Sequence, residues 1–163
     1  MFRRTPATQV RNAGNTKDNH TEQLIRANQA LIVKDAEFIK AYVERHQWQM
    51  RPAQSGLWYD IYDHGTGRKA ALGKLAEIAY TLSLADSVHT VCYSSAQSGS
   101  KTFRIGQGGV EAGLEEGILL LREGDKARFI LPPHLAHGLT GDNNCIPRRA
   151  VIVYDVELLN ISE

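Results

Sequence analysis

VEAGLEEGILLLREGDKARFILPPHLAHGLTGDNNCIPRRAVIVYDVELL, residues Val110–Leu159, decides the architecture. Its opening, with Gly109, reads as a helix running to Leu121 and closed by Gly124, since glycine is favoured just past a helix end. Lys126–Leu131 reads as a strand. Ala150, Ile152, Tyr154, Val156 and Leu158 alternate with other residues, the period of two expected of a long strand. Between these strands, residues 132–149 are rich in Pro, Gly and Asn. That is longer than ordinary connections, which marks a functional or a disordered segment. Leu131, Leu135, Leu139 and Ile146 are interleaved with the turn residues, and a merely solvated loop needs no such apolar content, so the loop reads as functional.

Working outward, the period stays at two. Leu57, Tyr59 and Ile61 alternate with Trp58, Asp60 and Tyr62, and the turn signal His64-Gly65-Thr66-Gly67 ends that strand. Leu75–Leu84 places Ala76, Ile78, Tyr80, Leu82 and Leu84 on one face. Short strands follow near Thr90–Tyr93 and Thr102–Ile105. Five or so strands with one short helix predict an α+β domain in which an antiparallel sheet curls over the helix.

Farther upstream the period changes. Over residues 20–48, Leu24, Leu31 and Phe38 recur every seven positions beside Ile25, Ile32 and Ile39, and Tyr42 and Val43 extend the stripe. This predicts an amphipathic helix. Asn19 followed by Glu22 resembles a capping box, and Arg51 before Pro52 is biased away from helix. One helix cannot bury such a stripe alone, so it packs on the following domain or on a second copy of itself. Residues 1–18 carry Arg3, Arg4, Arg11 and Lys17 against the single acid Asp18, with few large apolar residues, and read as a flexible basic tail. The division expected is a tail at 1–18, a helix at 19–51 and a β-rich domain at 52–163.

Composition excludes several classes. The 163 residues are 42% hydrophobic, and 19 basic residues nearly balance 18 acidic ones. Nothing here points to disorder, a transmembrane span or nucleic acid; the basic tail reads as a solvated linker. P-loop, GxSxG and HExxH motifs are missing, and Cys92 and Cys145 form no zinc-spaced set with histidine. No metal or other cofactor is expected, and no covalent nucleophile. Met1-Phe2-Arg3-Arg4 lacks the apolar stretch of a signal peptide, so the expectation is either a cytoplasmic protein or one whose secretory signal has been removed.

The segment Val110–Leu159 resembles the FKBP family. That family carries a V-x-x-G-[WL]-E-E-G helix start, a G-[DE]-[KR]-A strand entry, an [SP]-P-x-x-A-[YH]-G loop, then I-P and a closing [FY]-D-V-E-L-L strand. All occur here in order. Upstream, Ala79-Tyr80-Thr81 and Thr102-Phe103-Arg104-Ile105-Gly106 match less strongly, so the resemblance covers about Leu57–Glu163. It implies a curled antiparallel sheet over a short helix, and the activity of a peptidyl-prolyl cis-trans isomerase acting on proline-containing polypeptides. FKBP domains of the bacterial envelope often carry helical extensions such as the one expected here, which makes the envelope the suspected compartment and the cytoplasm its alternative.

The resemblance also implies a pocket. Tyr80, Phe103, Leu114, Ile146 and Tyr154 match aromatic and aliphatic walls, with Val110 at the boundary. Glu111 matches the residue whose backbone N–H meets a ligand carbonyl. His137 stands where many members have a tyrosine hydroxyl. Leu135, Cys92, Tyr93 and Cys145 fall on the substrate-contacting rim. Cys92 and Tyr93 replace the usual Phe-Asp, and loss of that Asp puts the catalytic rate in question. With both cysteines on the rim, a disulfide pinning the loop is one implication and would indicate an oxidising compartment; two unpaired small residues is the reading preferred. Glu115 and Glu116 are expected to serve the helix dipole, and His134 to face solvent. The rival reading of the whole chain is a weakly active or non-catalytic chaperone-like peptide-binding module, dimerised by the leading helix.

Overall fold

A computed structural model describes residues 13–163, with side chains from residue 17 onward. The elements run α1 (Ala13–Arg45), β1 (Arg51–Pro52), β2 (Trp58–Asp63), β3 (Leu75–Leu84), β4 (Val91–Ser94), α2 (Ser95–Ser98), β5 (Lys101–Arg104), α3 (Ala112–Ile118), β6 (Lys126–Leu131) and β7 (Ile152–Ser162), with a 3-10 turn at Pro133–Leu135 after β6. Among the described residues the strands form one antiparallel seven-stranded sheet in the order β1-β2-β6-β7-β3-β4, with β5 also on β3. β7 pairs with β3 over its whole length, while on the other side of β3 the partner is divided: β4 meets Thr81–Ser83 and β5 meets Leu75–Ile78. α2 sits in the break. Its sequence, Ser-Ala-Gln-Ser, has no apolar period, and sequence reading passed over it.

Alternation along the strands supplies two cores. Ala127, Phe129 and Leu131 of β6 and Ile152, Tyr154, Val156 and Leu158 of β7 point to the concave face, where Leu114 and Ile118 of α3 pack on them. α3 lies hard against the sheet: a Cβ on Gly113 would meet Leu131 Cγ at 2.5 Å, and one on Gly117 would meet Phe129 Cζ at 2.7 Å. Ile130 and Val153 point to the opposite face and receive Ile39, Tyr42 and Val43 of α1, with Trp48 and Trp58 alongside. Arg128 lays its guanidinium 4.1 Å from the centroid of the Trp48 ring, a favourable cation–π contact.

α1 departs from the sequence expectation at its start. It is already helical at Ala13, so Asn19 and Glu22 lie within the helix and form no capping box, and residues 13–18 are helix rather than tail. The remainder of the expected tail, residues 1–12, lies outside the described residues. The helix is also used unevenly. Its last turns are buried, whereas Leu24, Ile25, Val33 and Phe38 are exposed, Val33 at 56%. Among the described residues no helix is long and apolar enough to cross a membrane.

Candidate functional site

The concave face of the sheet, the start of α3 and the loop at residues 132–149 converge on one place. Its floor is apolar and deep: Leu114 and Tyr154 are fully buried, and Phe103 and Ile146 nearly so. Tyr80 of β3 leans over this floor, with its ring centroid 6.1 Å from that of Tyr154. Lys101 of β5 stands over the Tyr80 ring at 5.4 Å. Val110, Cys92, Tyr93 and Leu135 are half-buried and pack against the same core. A recess of about 320 Å³ opens beside it, lined by Lys101, Gly108, Gly109, Val110, Glu111, Ala136 and His137.

One carboxylate sits at the edge of this apolar floor. Glu111, immediately before α3, has a side chain only 8% exposed. Tyr154 Oη donates to its Oε2 at 2.8 Å and its Oε1 at 3.0 Å, and His137 Nε2 lies 3.0 Å from Oε1. A carboxylate offers only acceptors, so the ring carries its hydrogen on Nε2. Burial, and then the Glu111 charge, push the Tyr154 phenol far above its ordinary value; it stays a neutral donor. The backbone N–H of Glu111 has no acceptor among the described residues.

The rim is built from cross-links. Cys92 of β4 and Cys145 of the loop are joined in a disulfide across a sequence separation of 53, with Cα atoms 5.5 Å apart. This corrects the preferred reading of two unpaired cysteines: curling of the sheet carries β4 under the loop, a juxtaposition that spacing alone does not encode. Next to it, Tyr93 Oη donates to Asp142 Oδ2, and Asn144 Nδ2 donates to Tyr93 Oη. Asp142 also accepts the backbone N–H groups of Ile146 at 2.8 Å and Asn144 at 3.0 Å. Burial opposes ionisation of Asp142, but these donors, the Tyr93 hydroxyl first, outweigh it and hold the carboxyl below its ordinary value. The same bond to Asp142 pushes the Tyr93 phenol up.

A profile described as FKBP-type peptidyl-prolyl cis-trans isomerase matches residues 66–159, more than half of the chain and the whole site just described. The chain belongs to the FKBP-type family. An FKBP-type peptidyl-prolyl cis-trans isomerase FkpA of Aeromonas hydrophila is 36% identical over 131 residues, covering 80% of this chain and 46% of that protein. A macrophage infectivity potentiator of Trypanosoma cruzi is 38% identical over 111 residues, 67% of this chain and 55% of that one. The chain thus spans about half the length of these two relatives. FkpA from Escherichia coli has a similar structure, with a TM-score of 0.68 at 25% identity, covering 91% of this chain and 71% of that one. AtFKBP13 gives 0.65 at 31% identity, covering 69% and 98%.

Within this FKBP-type fold, the residues proposed from sequence for the pocket and its border lie on the floor, the recess or the rim, but several singled-out residues differ from expectation in what they touch. Glu111 presents its carboxylate as well as its backbone. Glu115 does more than favour the helix dipole, since its Oε1 accepts from Gly106 N at 3.2 Å and Gly108 N at 3.0 Å and ties down the turn before Val110. Glu116 accepts from Ser55 Oγ at 2.7 Å. His134 is exposed, and its Nε2 lies 2.8 Å from the Ser55 carbonyl oxygen. Asp142 was missed. No Asp follows Cys92, yet a carboxylate reaches the Tyr93 hydroxyl from the loop; a lone Asp in a stretch dense with turn residues carries no signal that separates it from an ordinary turn.

Proposed function

We propose that this chain is a peptidyl-prolyl cis-trans isomerase that turns X–Pro bonds in polypeptides, with residues 52–163 as the isomerase domain. The observation that carries the reading is the family match over residues 66–159, which spans every proposed pocket residue from Tyr80 to Tyr154. The barrier to be lowered is about 18–20 kcal/mol and arises from amide resonance. Twisting the C–N bond removes that resonance and makes the amide less dipolar. A dry apolar site favours the twisted form relative to the planar one, which is differential binding of the transition state. In this reading Tyr80, Phe103, Val110, Leu114, Ile146 and Tyr154 hold the prolyl ring, the Glu111 backbone N–H and His137 hold the carbonyl of the preceding residue, and Cys92, Tyr93, Leu135 and Cys145 border the bound chain. The test is a prolyl isomerisation assay on tetrapeptides that vary the residue before proline, using the parent, Tyr154→Ala and His137→Ala. Acceleration by the parent that is lost in Tyr154→Ala supports the reading. A folded parent without acceleration replaces it with a non-catalytic peptide-binding module.

A second element is the pairing of two copies through α1. Supporting it is the run of exposed apolar side chains Leu24, Ile25, Ile32, Val33 and Phe38 on a helix that is fully buried only at residues of its last turns. Light scattering on the full chain is expected to give twice the chain mass, and Ile25→Glu with Val33→Glu is expected to give the single mass. A parent that is already monomeric removes the idea.

A further inference from the structure

The site contains a polar group that an apolar isomerase pocket does not need. The Glu111 carboxylate is almost wholly covered and is held by Tyr154 and His137. Its bond to His137 fixes one side of the imidazole. Nε2 carries a hydrogen whether the ring is neutral or charged, because that hydrogen is donated to Oε1. No described residue bonds Nδ1. In the neutral ring Nδ1 is an acceptor; in the imidazolium it is a donor. A substrate carbonyl facing Nδ1 would therefore meet a lone pair in one state and an N–H in the other.

We propose that Glu111 is a positioning residue for prolyl isomerisation: it holds His137 by Nε2–H and turns Nδ1 towards the substrate, so that His137 grips the carbonyl of the residue before proline only as an imidazolium. The inference rests on the isomerase reading. It assigns the Glu111 side chain a role distinct from that of its backbone, and makes His137 a proton-dependent counterpart of the hydroxyl that stands there in many relatives. Charged and titratable groups face the ring from each neighbouring element. Glu111 stands at the entry to α3, with Tyr154 of β7 behind it. Lys101 of β5 shares the recess. A positive charge on His137 would favour the ionised form of Asp142 of the loop, which is tied to Tyr93 of β4. Two carboxylates and one ammonium therefore stand around the ring. No proton is transferred in the cycle; the imidazolium keeps both hydrogens while the amide turns.

Two measurements on the full chain test this. Nitrogen-15 NMR of the His137 ring, followed from about pH 5 to pH 8, the range in which imidazoles change charge, reports which nitrogen carries the hydrogen. The expected result is an Nε2–H tautomer at the alkaline end, and a titration midpoint that moves to lower pH in Glu111→Gln, a variant that keeps the shape and removes the charge. In parallel, kcat/KM for a tetrapeptide should fall about tenfold as pH rises, the scale of a lost charge-assisted hydrogen bond. That fall should track the ring titration in both proteins and vanish in His137→Phe. A flat profile from an active parent, an Nδ1–H tautomer, or a midpoint indifferent to Glu111→Gln each overturns the proposal. A ring that titrates as described in a protein with no acceleration at any pH overturns the isomerase reading instead, and leaves the Glu111–His137 pairing standing.

Discussion

The floor of the site and its rim are made in different ways. Leu114, Phe103 and Tyr154 are carried by α3, β5 and β7 and buried by the packing of helix on sheet, so their positions follow from the same contacts that fold the chain. The rim joins β4 to a loop that has no ladder of its own to hold it. It relies on the Cys92–Cys145 bridge, the bonds converging on Asp142 and the bond from Arg149 N to Gly138 O at 2.8 Å. The floor is therefore coupled to global stability, and the rim can be loosened while the fold persists. An isomerase pocket of the kind proposed needs both: a fixed apolar surface against the prolyl ring and a boundary that admits a chain.

The sharpest way to break this distinction is to truncate the floor. Tyr154→Ala removes a fully buried ring and leaves Glu111 short of a donor. We expect a loss of about 3–5 kcal/mol in denaturant unfolding, as for large aromatic truncations in cores. A loss below ~1 kcal/mol would place Tyr154 outside the load shared by the core.

Next is the bridge. A cross-link over a separation of 53 residues limits the unfolded chain by as much as ~4 kcal/mol in the entropic account. Reduction should lower the urea midpoint and should open residues 132–149 to protease before the sheet. Unchanged midpoint and cleavage on reduction would mean the rim holds itself without the bridge.

Smaller still is Tyr93→Phe. Tyr93 is partly exposed, and the substitution removes only one of the donors to Asp142. We expect KM to rise modestly with kcat retained; a kcat loss as deep as that of the floor variant would erase the division of labour. Smallest is the effect of acid. The folded Asp142 carboxyl is held below its ordinary value, so its contribution is complete above the unfolded value and disappears as pH falls through the folded one. Amide exchange in residues 142–146 should quicken only in that acid range, and quickening as pH rises towards neutrality, beyond the intrinsic increase, would contradict the sign.

Legibility in the sequence divides along the same line. β3 and β6 occupy the expected spans, Leu75–Leu84 and Lys126–Leu131, and in β3 the alternating apolar residues are the ones that meet the concave core. The start of α1 was misread because Asn19 and Glu22 mimic a cap within a helix that has already begun. α3 is shorter than the helical stretch read between Gly109 and Leu121, since the turn ahead of it is held by Glu115 rather than by helix. In the site, pattern alone could not tell pocket wall from core for Phe103 or Tyr154, and only the motif order assigns them to the proposed pocket. The disulfide, the Tyr93–Asp142 bond and the Glu111 carboxylate all join residues far apart in sequence, and such pairings become visible only after the sheet has curled.

The measurement closest to the central claim is the tetrapeptide isomerisation rate of the oxidised parent beside that of Phe103→Ala, both verified as folded. The account predicts clear acceleration by the parent and a loss of about tenfold or more in kcat/KM when the apolar floor is opened, a barrier change of roughly 1.4 kcal/mol. A folded parent that leaves the X–Pro rotation at its uncatalysed rate would contradict it.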